Sequence, residues 1–222
     1  MLKKSAFFST LFLIIFLIFP RAGPKNQTLA DVHQEPRNVK VTALIDKDLL
    51  EINPGVTKEV SEIMGFVSEI FMKEFNVMFE ITRFEPWQFP SAKTEVNLHE
   101  ALSDVAVIAS NKSQSQDEIF LGFSLKNFFL LECSLIEDKT VCSKKEKSGF
   151  AYILRNAAVI RLDFNSKYVA LHEIGHIFGA THTEEKSIMN KEVNTSTEFD
   201  EKNKAIIKKN RELSFPKIYA PF

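Results

Sequence analysis

The spacing of hydrophobic and polar positions changes several times along the chain, and each change marks an element. Over residues 38–45, Val39, Val41 and Ala43 alternate with polar partners, the two-residue period of a strand. Asn53, Pro54 and Gly55 form a turn. Between 58 and 75, Val60, Ile63, Met64, Val67, Ile70, Phe71 and Phe75 recur at helical intervals and predict an amphipathic helix. Alternation returns over 77–84 as a second strand, and Pro86 and Pro90 place Trp87 in a loop. A short helix is expected over 93–102, then a buried strand over 104–109 and a polar loop over 110–118. The Phe- and Leu-rich stretch 119–136 predicts a hairpin with the segment that runs to Cys142, and the lysine-rich 143–147 reads as a solvated turn. Two more strands follow over 149–153 and 157–163. Asn165 or Ser166 is placed to cap the next helix, with Leu171, Ile174, Ile177 and Phe178 as its anchoring residues. A capped loop over 194–197 leads to a last helix over 199–211, with Phe199, Ile206 and Ile207 as its apolar residues.

The N-terminus has a different pattern. Lys3 and Lys4 precede an apolar run over 6–19, followed by Pro20 and Arg21, the charged region and apolar core of a secretory signal. A membrane span needs about 20 apolar residues, more than this run supplies. No small-x-small cleavage pair stands out around 20–24, so residues 1–22 are either a signal peptide or an uncleaved anchor. Residues 23–37 form a polar linker and 38–222 one domain. Both readings of the leader imply an exported protein, secreted or periplasmic.

Composition narrows the partners. The 222 residues carry a formal net charge of −1, which gives no electrostatic case for nucleic acid. The sequence leaves the oligomeric state open. Cys133 and Cys142 are the only cysteines, and in an exported chain their spacing favours a loop-closing disulfide over two free thiols. Asn26, Asn111 and Asn194 begin glycosylation sequons, which matter only in a host that glycosylates secreted proteins. His33 and His99 read as surface or loop histidines.

The chemistry is concentrated in residues 169–182. His172 and His176 lie one helical turn apart on one face and can hold one metal ion. Glu173, beside the first, is placed to act as a general base on water. His182 lies six residues past His176 and would point away on a continued helix, so the chain must turn between them. Gly179 can take the positive φ that such a turn needs at a helix C-terminus. Three histidines leave a fourth position of tetrahedral zinc open, as in catalytic sites.

The His172-Glu173-x-x-His176-x-x-Gly179-x-x-His182 stretch, followed by Met189 in Ser187-Ile188-Met189-Asn190, resembles the metzincin zinc metallopeptidases. The resemblance runs from about 39 to 213 and is similar to the adamalysin (reprolysin) group through the Gly149-Phe150-Ala151-Tyr152 stretch. It implies an α+β zincin fold: a mixed, twisted sheet of about five strands with an active-site helix, a Met-turn and a C-terminal helix. It also implies that His172, His176 and His182 bind Zn2+, that Glu173 is the catalytic carboxylate, and that Met189 lies beneath the metal. The activity implied is hydrolysis of a protein or peptide, with the substrate lying against the strand near 150–153. Side-chain preference would come from a pocket walled by 187–199. Thr183 stands where adamalysins carry Asp, astacins Glu and matrixins Ser, which leaves the subfamily open. Lys191 replaces the tyrosine ligand of astacins and serralysins, and the extra cysteines of archaemetzincins are absent. An inactive zinc-binding relative, acting as a binding module, is the alternative reading.

Overall fold

The structure is a computed structural model in which residues 35–88, 94–136, 139–192 and 194–215 are described. The leader, most of the linker, Asn26, His33, Pro90, Pro216 and Pro221 lie outside the described residues. Among the described residues no helix is long and apolar enough to cross a membrane.

Strand β1 (Arg37–Asp46) runs through the middle of the domain, and Val41 to Asp46 are all buried, as expected of a strand covered on both faces. A short helix that the sequence pattern did not announce, α1 (Lys47–Ile52), follows it and is capped by Asp46, whose side chain accepts from the Asp48 amide. Helix α2 (Val56–Phe75) buries the predicted stripe, and Asn76 ends it in the left-handed conformation. Strand β2 (Val77–Trp87) extends past Pro86. Trp87 is therefore not in a loop: it is the buried end of this strand, with its indole N–H donating to Asp104 Oδ2 at 2.6 Å.

The region 93–112 departs furthest from the sequence pattern. A three-residue strand β3 (Glu95–Asn97) leads directly into helix α3 (Leu98–Lys112), which absorbs the strand expected over 104–109. Leu98, Ala101, Leu102, Val105, Ala106 and Ala109 form one buried helical face. A short buried apolar run satisfies either period, and here the Asn97 cap, accepting from the His99 amide at 2.9 Å, starts the helix upstream. The third central strand is instead β4 (Glu118–Ser124), every residue of which is buried. The expected hairpin over 119–136 is thereby displaced: β5 (Asn127–Ile136) pairs antiparallel with β6 (Lys139–Lys147), in a register that sets Cys133 opposite Cys142. The two cysteines form a disulfide. The lysine-rich 143–147 is part of β6 and not a turn.

Strands β7 (Gly149–Ala151) and β8 (Ala157–Arg161) complete a five-stranded mixed sheet of order β2-β1-β4-β8-β7. Its first four strands are parallel and β7 is an antiparallel edge. Strands β3, β5 and β6 make a separate small sheet. Alternate side chains of the main sheet divide the core. Val41, Ala43, Ile119, Leu121 and Ile160 face α2 and α4 (Ser166–Ile177), whereas Leu44, Phe120, Ala157 and Val159 face α3. Helix α5 (Glu201–Asn210), with Asp200 as its N-cap, is the last element among the described residues.

Candidate active site

The His172-Glu173-x-x-His176 part of the motif occupies α4, a helix buried on nearly every side: Val169, Ala170, Leu171, Ile174 and Ile177 are all at most 3% exposed. Asn165 holds the N-cap position, but neither its side chain nor that of Ser166 caps the helix. Ser166 Oγ instead donates to the Asp163 carbonyl and accepts from the Asp163 amide. The C-terminus ends as the sequence requires. The Gly179 amide donates to the His176 carbonyl at 2.8 Å and the Ala180 amide to the Gly175 carbonyl at 3.0 Å, with Gly179 at φ +91°. A Cβ at Gly179 would lie 2.6 Å from Asn210 Nδ2, so the turn needs glycine for space as well as for φ.

That reversal brings His182 back to the helix. The three Nε2 atoms lie 3.1 Å (His172 to His176), 3.2 Å (His172 to His182) and 3.2 Å (His176 to His182) apart. The tautomers of the two helical histidines follow from their other nitrogens. His172 Nδ1–H donates to the Ile188 carbonyl at 2.6 Å and His176 Nδ1–H to the Ala180 carbonyl at 2.8 Å. Their Nε2 atoms therefore carry lone pairs pointed at one spot, an arrangement that repels itself without a cation between them. Nitrogens bound to tetrahedral zinc at about 2.0–2.1 Å would sit about 3.3–3.4 Å apart, close to the spacing seen, so the donor set fits zinc.

The electrostatics agree with ligand duty. Burial first, and then the neighbouring His176, pushes His172 down to about 3. Burial likewise lowers His176 to about 4, and lowers His182 as well. All three are neutral near pH 7, the form that binds metal. Glu173 is 6% exposed; burial raises its pKa to about 8, opposed by the Lys147 charge. Among the described residues its Oε2 atom has no hydrogen-bond partner, which is unusual for a buried carboxyl group.

Met189 lies beneath α4, fully buried. A Cβ at Gly175 would come within 2.7 Å of Met189 Sδ and 3.0 Å of Phe199 Cε1, so helix and Met-turn touch only because residue 175 has no side chain. Ser187 Oγ accepts from the Met189 and Asp200 amides, both at 3.1 Å, and donates to Asp200 Oδ2 at 3.0 Å. Asn203 is 1% exposed and takes both backbone groups of Thr181, accepting from the amide and donating to the carbonyl at 2.9 Å each. It also donates to Asp200 Oδ2 at 2.7 Å. Asp200 and Asn203 thus tie the Met-turn and the loop carrying His182 to α5. Sequence reading placed the cap of this region earlier, over 194–197. The Asp-x-x-Asn spacing of a helix start was the signal that could have found it.

A cleft of 560 Å³ opens over the three histidines and Glu173. One side is formed by Ile188, Asn190, Lys191, Glu192 and Asn194, inside the predicted 187–199 wall. The other is formed by Gly149 and Phe150 of β7 together with Leu130, Glu132, Lys145 and Lys147 of the β5–β6 hairpin, which the sequence pattern did not place near the site. His99 packs edge-on against Phe150 at 5.4 Å, and neither it nor Cys133 or Cys142 is among the cleft residues.

The mixed sheet, the His-Glu-x-x-His helix and the Met-turn beneath it define a metzincin-type zinc metallopeptidase domain. A reprolysin-type family model, described as metallo-peptidase family M12, matches residues 35–209, and the chain belongs to that family. No curated protein matches the chain. One solved structure similar to it is described as a chaperone–substrate complex, with a TM-score of 0.56 and 12% identity over 79% of this chain, a likeness of fold alone. The chain covers 35% of that structure's length.

Proposed function

We propose that the protein is an exported zinc endopeptidase, with His172, His176 and His182 as zinc ligands and Glu173 as general base. The observation that carries this reading is the meeting of three imidazole nitrogens, 3.1–3.2 Å apart, beside a buried Glu173 oxygen that has no partner among the described residues. When bound, zinc supplies Lewis-acid activation of water and of the scissile carbonyl, and its charge favours ionised Glu173. Glu173 accepts a proton as water attacks the carbonyl carbon and returns it to the leaving amine as the C–N bond breaks. Among the described residues the outer edge of β7 is unpaired in the main sheet, and an extended substrate added there would lie across the cleft with its backbone held by strand-type hydrogen bonds. The side chain next to the cleaved bond would enter toward the 187–199 segment. Export rests on the N-terminal pattern and is supported by a disulfide suited to an oxidising compartment. Deletion of residues 1–19 should retain the protein in the cytoplasm, and mass spectrometry of the mature N-terminus separates a cleaved signal from an anchor.

Glu173→Gln tests the assignment. It keeps shape and metal binding while removing the proton acceptor, so cleavage of an unstructured protein should fall by about 10⁴-fold or more with zinc content unchanged. Wild-type protein that holds one zinc per chain and cleaves nothing would instead establish an inactive binding module.

A further inference from the structure

The lysine-rich segment that reads in sequence as a solvated turn is a wall of the cleft. Strand β6 alternates: Lys145 and Lys147 pair across from Leu130 and Phe128, and both lysines line the cleft with Leu130 and Glu132. Lys144 and Glu146 occupy the intervening positions and form ion pairs with Glu95 and Arg161. The opposite wall contributes a third cation, Lys191. Two of the three are neutralised, Lys145 by Glu132 at 2.5 Å and Lys191 by Glu184 at 3.3 Å. Lys147 is the exception: among the described residues no carboxylate lies within ion-pair distance of it. It is half-buried and two residues before Gly149, where a Cβ would come within 2.9 Å of Glu173 Oε1. Its charge is felt at the centre, where it lowers the pKa values of His172, Glu173 and His182.

A half-buried lysine beside a three-histidine metal site places like charge next to like. The carboxylates that its charge reaches are Glu132, already paired with Lys145, and Glu173 at the centre, and among the described residues neither forms an ion pair with it, so the cleft has room for a further anion beside Lys147. The usual reason for lysine on an edge strand, discouraging strand-to-strand association, concerns the strand's open edge and not a side chain facing a cleft. We propose that Lys147 is the specificity-determining cation of a subsite for a carboxylate of the substrate. The carboxylate is that of an Asp or Glu side chain near the cleaved bond, or the α-carboxylate of a peptide terminus. The proposal rests on the metallopeptidase reading for its substrate, but its ligand chemistry follows from the cleft.

The test uses a labelled peptide series identical except for Glu, Gln or Lys at each of three positions on either side of the cleaved bond, with free-acid and amide C-termini. Cleavage by the wild type gives kcat/KM, and fluorescence anisotropy with Glu173→Gln protein gives Kd without turnover. One position should prefer Glu over Gln by roughly tenfold, the size of a charge-assisted contact. Lys147→Met should abolish that preference, read as the ratio of the Glu to the Gln peptide in both kcat/KM and Kd, with zinc content retained. Lys147→Arg should keep it, and Lys147→Glu should shift it toward Lys. A preference seen only between free acid and amide identifies the terminal carboxylate as the source. Equal loss for Glu and Gln peptides, with a shifted pH–rate profile, would make Lys147 a counter-ion of Glu173 and overturn the proposal, as would equal binding of all three peptides. If the wild type cleaves nothing, the peptidase reading falls, and the anisotropy series still decides whether Lys147 selects a carboxylate.

Discussion

The floor and the hairpin wall of the cleft are built on opposite plans. The floor is α4, the Met-turn and the start of α5, where Gly175, Ser187, Met189 and Asn203 are buried and the polar atoms of Ser187, Asp200 and Asn203 meet one another or backbone groups. The wall is the β5–β6 hairpin, whose side chains are mostly exposed and joined by ion pairs and one disulfide. Surface ion pairs contribute little to stability, whereas a buried hydrogen-bonded group left without its partner costs about 1–3 kcal/mol. The difference separates two duties: the floor holds the three histidines in place through buried packing and hydrogen bonds, and the wall carries exposed charge toward the cleft.

The comparison predicts a graded set of effects. The largest is expected at Gly175, where valine would push into Met189 and Phe199; the melting temperature should fall by an amount equivalent to about 1–3 kcal/mol, and zinc affinity should fall with it. Unchanged zinc affinity in a stable Gly175→Val protein would separate the Met-turn from ligand positioning.

Asp200→Asn comes next, with an expected loss of about 1–2 kcal/mol in denaturant unfolding. Burial alone would raise the Asp200 pKa, but hydrogen bonds from Asn203 and Ser187 hold it below the ordinary 3.8. A carboxylate lowered on folding stabilises fully above its unfolded pKa, and that contribution is lost as pH falls through the lower folded value. The wild type should therefore lose stability below about pH 4 more steeply than Asp200→Asn. Parallel curves would remove Asp200 from the acid response.

Cys142→Ser tests the wall. It should lower the melting temperature by roughly 2–4 °C, corresponding to about 1 kcal/mol for a peripheral hairpin, with zinc content intact. Loss of zinc would mean that the wall also sets the metal site. Lys144→Ala, which breaks the exposed pair with Glu95, should change stability by well under about 1 kcal/mol. A larger change, read by the same thermal melt, would show that the hairpin's ion pairs act as a network.

The sequence by itself determined the elements whose residues carry their own geometry. Histidines four apart on an apolar helix share a face wherever the helix sits, and Gly179 ends that helix at any location that requires a positive φ, so the histidine cluster was legible without a fold. The stripe of α2 and the cysteine pair were legible for the same local reason. Tertiary structure decided what local pattern leaves degenerate. Val105 to Ala109 suits a buried strand or a buried helix, and packing against Leu44, Phe120 and Val159 chose the helix. Trp87 became the end of a strand because Asp104, brought near by α3, accepts its N–H. The lysines of β6 differ from solvated lysines only in what stands opposite them, and that partner, the histidine-lined cleft, is assembled from residues between Leu130 and Asn194 that no short window of sequence contains.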